Sequence, residues 1–253
     1  MQVLLALVIA HLVGDFVVQR KAVIDGKYAG QSSAFAEHGA WHLACLVIAW
    51  LLFAPAGIAA WQLAIAFGGI VVLHLLTDFA KYRWMADRAL PAFLVDQAIH
   101  LATLVVAAWW LAGWPDWWQA IEAFWQPLAF RAGWLAVAYL VVVVVFGWLN
   151  RLLLQSLLPE PDEESEQQRL GLARAGLYIG WLERFLMFSA VLIDAWSVLG
   201  LVLAAKSVFR FDSIRHRRRH TEYFVIGTLL SVSEVVAVGL ALRWLMPDIT
   251  GGI

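Results

Sequence analysis

Long apolar runs alternate with short polar stretches from one end of this chain to the other, and the runs predict helices rather than strands. Seven runs hold about 17 or more mostly apolar residues, enough for a helix to cross a bilayer. They cover Gln2 to Val18, Glu37 to Phe53, Ala59 to Tyr82, Ala92 to Leu111, Leu135 to Leu158, Leu177 to Ala205 and Glu222 to Leu245. Pro55 and Gly57 mark a tight turn, and Pro91 suits the first turn of the fourth helix. The link from Arg20 to Ala36 is polar and contains glycine, so it reads as a loop. Between Gly113 and Trp134 the pattern breaks: five Trp alternate with Pro115, Asp116, Glu122 and Pro127, which predicts a segment lying along the membrane interface.

The polar positions inside the runs are not scattered. His11 and Asp15, His74 and Asp78, Asp96 and His100, and His38 and His42 are each four residues apart, so each pair shares one helical face. Ionisable groups at such positions are costly in a membrane and are usually kept for function. Basic residues follow the first and third helices, and the positive-inside tendency puts both of those loops in the cytoplasm. That placement brings all four pairs to the same half of the bilayer at similar depth. Farther on, seven crossings would leave the acidic loop 159–168 inside and the Arg215 to Arg219 cluster outside, against the same tendency.

Composition agrees with the pattern. The chain has 253 residues, 62% hydrophobic and 15% charged, against roughly half apolar and a quarter charged for a soluble domain. The formal net charge of −1 gives no reason to expect nucleic acid. Fifteen Trp suit interfacial anchoring. The N-terminus lacks a basic region and a small-residue cleavage site, and reads as a retained first helix. Cys45, the single cysteine, reads as a small packing residue.

Imidazoles and carboxylates at this spacing on several helices are how bundles build metal sites in their cores. Mixed nitrogen and oxygen donors suit zinc or manganese better than copper(I). We expect His11, Asp15, His74, Asp78 and His100 to bind the metal, and Asp96 or His42 to act as base. Lys81 would steady negative charge, and Gln19, Gln97 and His38 would contact substrate. The same residues could instead pass protons or a divalent cation, or merely hold helices together by paired hydrogen bonds. His38, next to Glu37, could also lie in water. Asp194 and Glu234 fall inside predicted helices, and pairing with Glu183, Arg184, Asn150 or Arg151 is the plain reading for them.

The blocks His11-Leu-Val-Gly-Asp15-Phe-Val-Val-Gln19, His74-Leu-Leu-Thr-Asp78-Phe-Ala-Lys81 and Asp96-Gln97-Ala-Ile-His100 resemble those of a bacterial multi-pass membrane family, the domain of unknown function 3307. Ala204-Ala-Lys-Ser-Val-Phe-Arg210-Phe and Glu222-Tyr-Phe-Val-Ile-Gly-Thr228 resemble the segment after the domain in longer members. The resemblance implies a bacterial inner-membrane location and no activity. The short His-x-x-x-Asp blocks also look like those of membrane-bound metal-dependent hydrolases, a likeness that carries no catalytic residue across.

The expected architecture is an all-α multi-pass transmembrane bundle of about seven helices plus a Trp-rich interfacial segment. Residues 1–112 form a four-helix unit carrying the His/Asp site, 113–134 the interfacial segment, and 135–253 a three-helix unit with acidic loop 159–168 and basic loop 206–220. The expected partners are the lipid bilayer and a lipid-linked or phosphorylated substrate, with a divalent metal as cofactor and a metal-dependent hydrolase as the leading function.

Overall fold

A computed structural model of the chain describes residues 2–55, 57–113, 128–157, 166–214 and 218–245. Every regular element among them is helical. Five helices are long and apolar enough to cross a membrane, and a sixth span arises if the bent N-terminal pair is one crossing. The described residues divide into two compact units, Met1–Val137 and Ala138–Ile253.

The first unit opens with α1, Gln2–Val13, which continues as a π-helical turn, Gly14–Val18. Extended backbone at Gln19 and Arg20 then turns the chain by 89° into α2, Lys21–Tyr28. A helix stands here where the polar, glycine-containing sequence predicts a loop. The Val23-Ile24 pair among its charges is the amphipathic core of that short helix, and Val23 is buried. Gly30, in the left-handed region at φ +70°, closes α2 by letting Gln31 N–H reach the Gly26 carbonyl. The chain then enters α3, Ser32–Phe53, a turn earlier than expected. α4, Ala60–Trp84, and α5, Ala89–Ala112, complete the unit.

Its core is apolar and mixes small residues with large ones. Ala10, Cys45, Ala49 and Ala66 let α1, α3 and α4 approach closely, with Leu7, Leu46, Phe67, Ile70 and Leu104 filling between them. Large side chains such as Leu51, Leu52, Trp61 and Val106 face outward instead. That arrangement fits a lipid surround, where there is no gain in hiding leucine from the solvent.

The Trp-rich segment lies mostly outside the described residues. Its end does not lie apart from the bundle: residues from 128 onward form α6, Leu128–Tyr139, which runs through a π-helical stretch, Leu140–Val145, into α7, Phe146–Leu157. The π register leaves the Val143 carbonyl to accept from Arg184 Nε at 3.1 Å. Arg184 lies on α8, Glu166–Leu192, buried in the second unit, with its guanidinium seated where a methyl at Gly147 would collide with it. Asn150 Nδ2 donates to Glu234 Oε2 at 2.8 Å, so Glu234 pairs across helices as expected.

The predicted sixth helix, Leu177 to Ala205, is two helices. α8 stops at a left-handed residue, Asp194 at φ 63°, with Ala195 N–H returned to the Ala190 carbonyl at 2.8 Å. Beyond it runs α9, Trp196–Ile214. Aspartate is among the few non-glycine residues at ease there. Asp194 is therefore not a buried helical carboxylate. It sits exposed at a turn, bound by Trp196 Nε1 and Arg243. Lys206 pairs with Glu183. The two residues are nearly equidistant from the turn, so α8 and α9 run antiparallel as a hairpin. The chain leaves the hairpin on the side where it entered, before the last helix, α10, Arg218–Leu245.

A hairpin in place of a crossing would remove the mismatch in charge placement. The acidic stretch 159–168 and the Arg215 to Arg219 cluster are then expected on one face. Single-cysteine variants in a Cys45→Ala background are expected to react with an impermeant maleimide from one face only at both stretches. Labelling of the two from opposite faces would exclude the hairpin topology.

Candidate metal centre

The end of the first unit where α1, α3, α4 and α5 meet α2 holds one connected polar cluster. Its members include His11, Asp15, His38, His42, His74, Asp78, Asp96 and His100, the eight residues picked out by spacing. All are buried except Asp15, which is nearly so. His38 is fully enclosed and does not lie in water beside Glu37.

The π turn after α1 starts the arrangement. It places Asp15 in the centre of the bundle and brings the Gly14 backbone against His42, whose ring would lie 2.8 Å from any Cβ added there. Three imidazoles then converge on one oxygen. Asp15 Oδ1 lies 2.9 Å from His42 Nε2, 3.2 Å from His38 Nε2 and 3.3 Å from His74 Nε2. His38 Nε2 and His74 Nε2 are themselves 2.9 Å apart, a separation at which only one of them carries a proton along the contact. Asp15 Oδ2 faces Gln97 Nε2 at 3.4 Å, and Gln97 Oε1 faces His11 Nε2 at 3.2 Å.

Asp78 anchors the other end. It accepts from Lys27 and, through Oδ1, from Lys81 Nζ at 3.0 Å. Lys81 also donates to Asp96 Oδ2 at 2.8 Å, which receives Gln97 Nε2 as well. His100 Nε2 lies 3.3 Å from Asp96 Oδ1 but out of hydrogen-bonding alignment, and both atoms are buried with no other partner. The His100 ring stacks on His74 with centroids 4.0 Å apart.

Lys27 is the member that spacing does not pick out. It lies in the stretch expected to be a loop, yet it is 1% exposed and bound to Asp78. Gln19, with its amide oriented to satisfy both neighbours, accepts from Lys27 Nζ at 2.7 Å and donates to the Asp15 carbonyl at 3.2 Å. It thus holds α2 to the π turn rather than pointing to open space. A signal for Lys27 is present in the chain: the positions Val23, Gly26 and Lys27 share one face of a short helix.

Three overlapping groups could hold a metal ion: His11 with Asp15, His42 and His74; His38 with His74 and Asp78; and Asp78 with Asp96 and His100. Within each group, the donor atoms lie within 4.8 Å of one another. Zinc–nitrogen bonds of about 2.0–2.1 Å put ligands within roughly 4 Å of each other, so small side-chain rotations would seat an ion. The donors are imidazole nitrogen and carboxylate oxygen throughout, a set suited to zinc or manganese. His42, expected as a base, stands inside the first group. With imidazoles neutral, three carboxylates face two ammonium groups, leaving a negative site that favours a cation. A cavity of about 10 Å³ beside His11, His42, His74 and His100 has room for one water or ion.

Lys81 is the most open member, with 20% of its side chain exposed, one turn from the end of α4. In the other direction the apolar core from Leu46 and Ile70 to Leu111 closes the bundle.

Residues 3–125 match the family model described as protein of unknown function, DUF3307, and the whole cluster falls within that stretch. The resemblance carried by the three motif blocks therefore holds over the first unit. No curated protein and no solved structure matches the chain.

Proposed function

We propose that the DUF3307 stretch holds a divalent metal among His11, Asp15, His42 and His74, and that the protein is a metal-dependent hydrolase of a phosphorylated or lipid-linked substrate at the bacterial inner membrane. The observation that carries this reading is the convergence of three imidazole nitrogens on Asp15 Oδ1. A carboxylate oxygen offers about two lone-pair directions, so three donors at hydrogen-bond range over-subscribe it. A shared cation satisfies the same atoms without competing protons.

The apolar core beside the cluster supports an enzyme over a transporter. An ion path needs polar groups through the full thickness of the bundle, and the apolar core interrupts them. A substrate arriving along the membrane face would meet Lys81 first, whose charge suits a phosphate. When bound, the ion would supply Lewis-acid stabilisation of the phosphoryl oxygens. In the hydrolysis, a water oxygen bonds to phosphorus and the bond from phosphorus to the leaving oxygen breaks. The water's proton ends on the leaving oxygen. His38 and His100 are the imidazoles left outside the first ligand group, and His38 is the one beside Asp15. It lies 3.2 Å from Asp15 and 3.4 Å from Asp78, within reach of both carboxylates, which suits it to relay that proton.

The test is the metal content of the full chain purified in detergent without chelators, wild type beside His74→Ala, with folding checked by circular dichroism. Stoichiometric zinc or manganese in the wild type and its loss from a folded variant is the expected result. No metal in either, even after titration with both ions, sinks the proposal and returns the cluster to a helix-pairing role.

A further inference from the structure

We propose that Asp78, Asp96 and His100 form a second divalent-cation seat beside the first, and that the Lys81 ammonium holds its place when it is empty. The inference rests on the metal reading above and extends it to a paired-cation site, which narrows the substrate class to phosphoesters.

Two atoms of the cluster face only each other, out of hydrogen-bonding alignment. Asp96 Oδ1 and His100 Nε2 are buried, 3.3 Å apart, and neither makes a hydrogen bond among the described residues. Buried polar atoms are ordinarily satisfied, and exceptions call for an explanation such as a missing ion. Both face a region that Asp78 also reaches, with donor atoms of the three within 4.8 Å. A neutral imidazole nitrogen and two carboxylates are a complete three-ligand protein set.

Lys81 explains how the carboxylates tolerate each other in the empty state. Its Nζ lies between them, 3.0 Å from Asp78 Oδ1 and 2.8 Å from Asp96 Oδ2. It is a positive charge where a cation would otherwise sit. It is also the one member of the cluster with a substantial route to the outside, so its flexible stem can withdraw the ammonium toward the membrane face. His74 and Asp78 each belong to two of the overlapping ligand groups, which makes the two seats neighbours rather than separate sites. A closely spaced ion pair would clamp one phosphoryl group, and the withdrawn Lys81 would then meet the substrate's remaining charge.

Manganese titration of the full chain in detergent, read by electron paramagnetic resonance together with bound-metal analysis, tests this. The expected result is two ions per wild-type chain with a spin-coupled signal. His100→Gln and Asp96→Asn should each retain one ion and an uncoupled signal. Lys81→Met should bind the second ion at least about tenfold more tightly, because a like charge a few ångströms away is removed. One uncoupled ion in wild type, His100→Gln and Lys81→Met alike would overturn the second seat and leave the first standing. No ion in any of them would overturn both.

Discussion

Asp78→Asn is expected to destabilise the N-terminal unit by about 3–5 kcal/mol, the range for removing one partner of a buried ion pair. Asp78 is 2% exposed and is the carboxylate shared by Lys27 and Lys81. The two lysines do not lose equally. Lys81 keeps Asp96 and has a way out to water, while Lys27 keeps the Gln19 amide oxygen and the face of the Tyr82 ring. The cost therefore lies in an ammonium left buried without a counter-charge. Unfolding of the full chain in mixed detergent micelles, followed by tryptophan fluorescence, measures it. Adding Lys27→Met to Asp78→Asn should recover most of the loss, since the uncompensated charge is then gone. A loss below about 1 kcal/mol, the worth of an exposed pair, would mean that water already reaches Lys27.

Asp15→Asn is expected to weaken metal binding by at least about a hundredfold, because even partners outside the ligand sphere cost ten- to a hundredfold. Asp15 is the one acidic group facing His38, His42 and His74 together. The amide keeps the shape and loses the charge, so the neutral imidazoles would have to hold a doubly charged ion without a counter-ion. Its stability effect should be small beside that of Asp78→Asn, as no lysine depends on it. Competition against a chromogenic zinc chelator gives the affinity. Unchanged affinity in a folded Asp15→Asn variant would place the ion elsewhere in the cluster.

Most of the cluster is legible in the amino-acid sequence, for a physical reason. In a lipid-facing sequence a polar residue stands out against its background, and helical spacing of four says which residues share a face. His11 with Asp15 and His74 with Asp78 need nothing more. The rest depends on features outside that code. The π turn at Gly14–Val18 changes the register by one residue, and no spacing rule anticipates it. Lys27 lies on a helix of eight residues whose order comes from docking on α3 and α4, and local composition there favours a loop. The hairpin at Asp194 is hidden because the apolar run passes through the turn without a proline or glycine. The left-handed Asp194 and the Glu183–Lys206 pair reveal the reversal. The conflict in charge placement is the one sign of that turn in the sequence.

The 89° turn between α1 and α2 bears on how the chain is made. Lys27 leaves the ribosome 51 residues ahead of its partner Asp78. An unpaired lysine in the middle of an inserting helix costs about 2.5–3.5 kcal/mol, so α2 has no reason to dock while α4 is still being synthesised. Until then the polar end of the young bundle stays open. Docking comes once α4 has delivered its carboxylate, and closing so long a loop is the late, non-local step of assembly. Biogenesis thus has a built-in interval in which the histidines stand uncovered, and a chain stalled before residue 78 would never close.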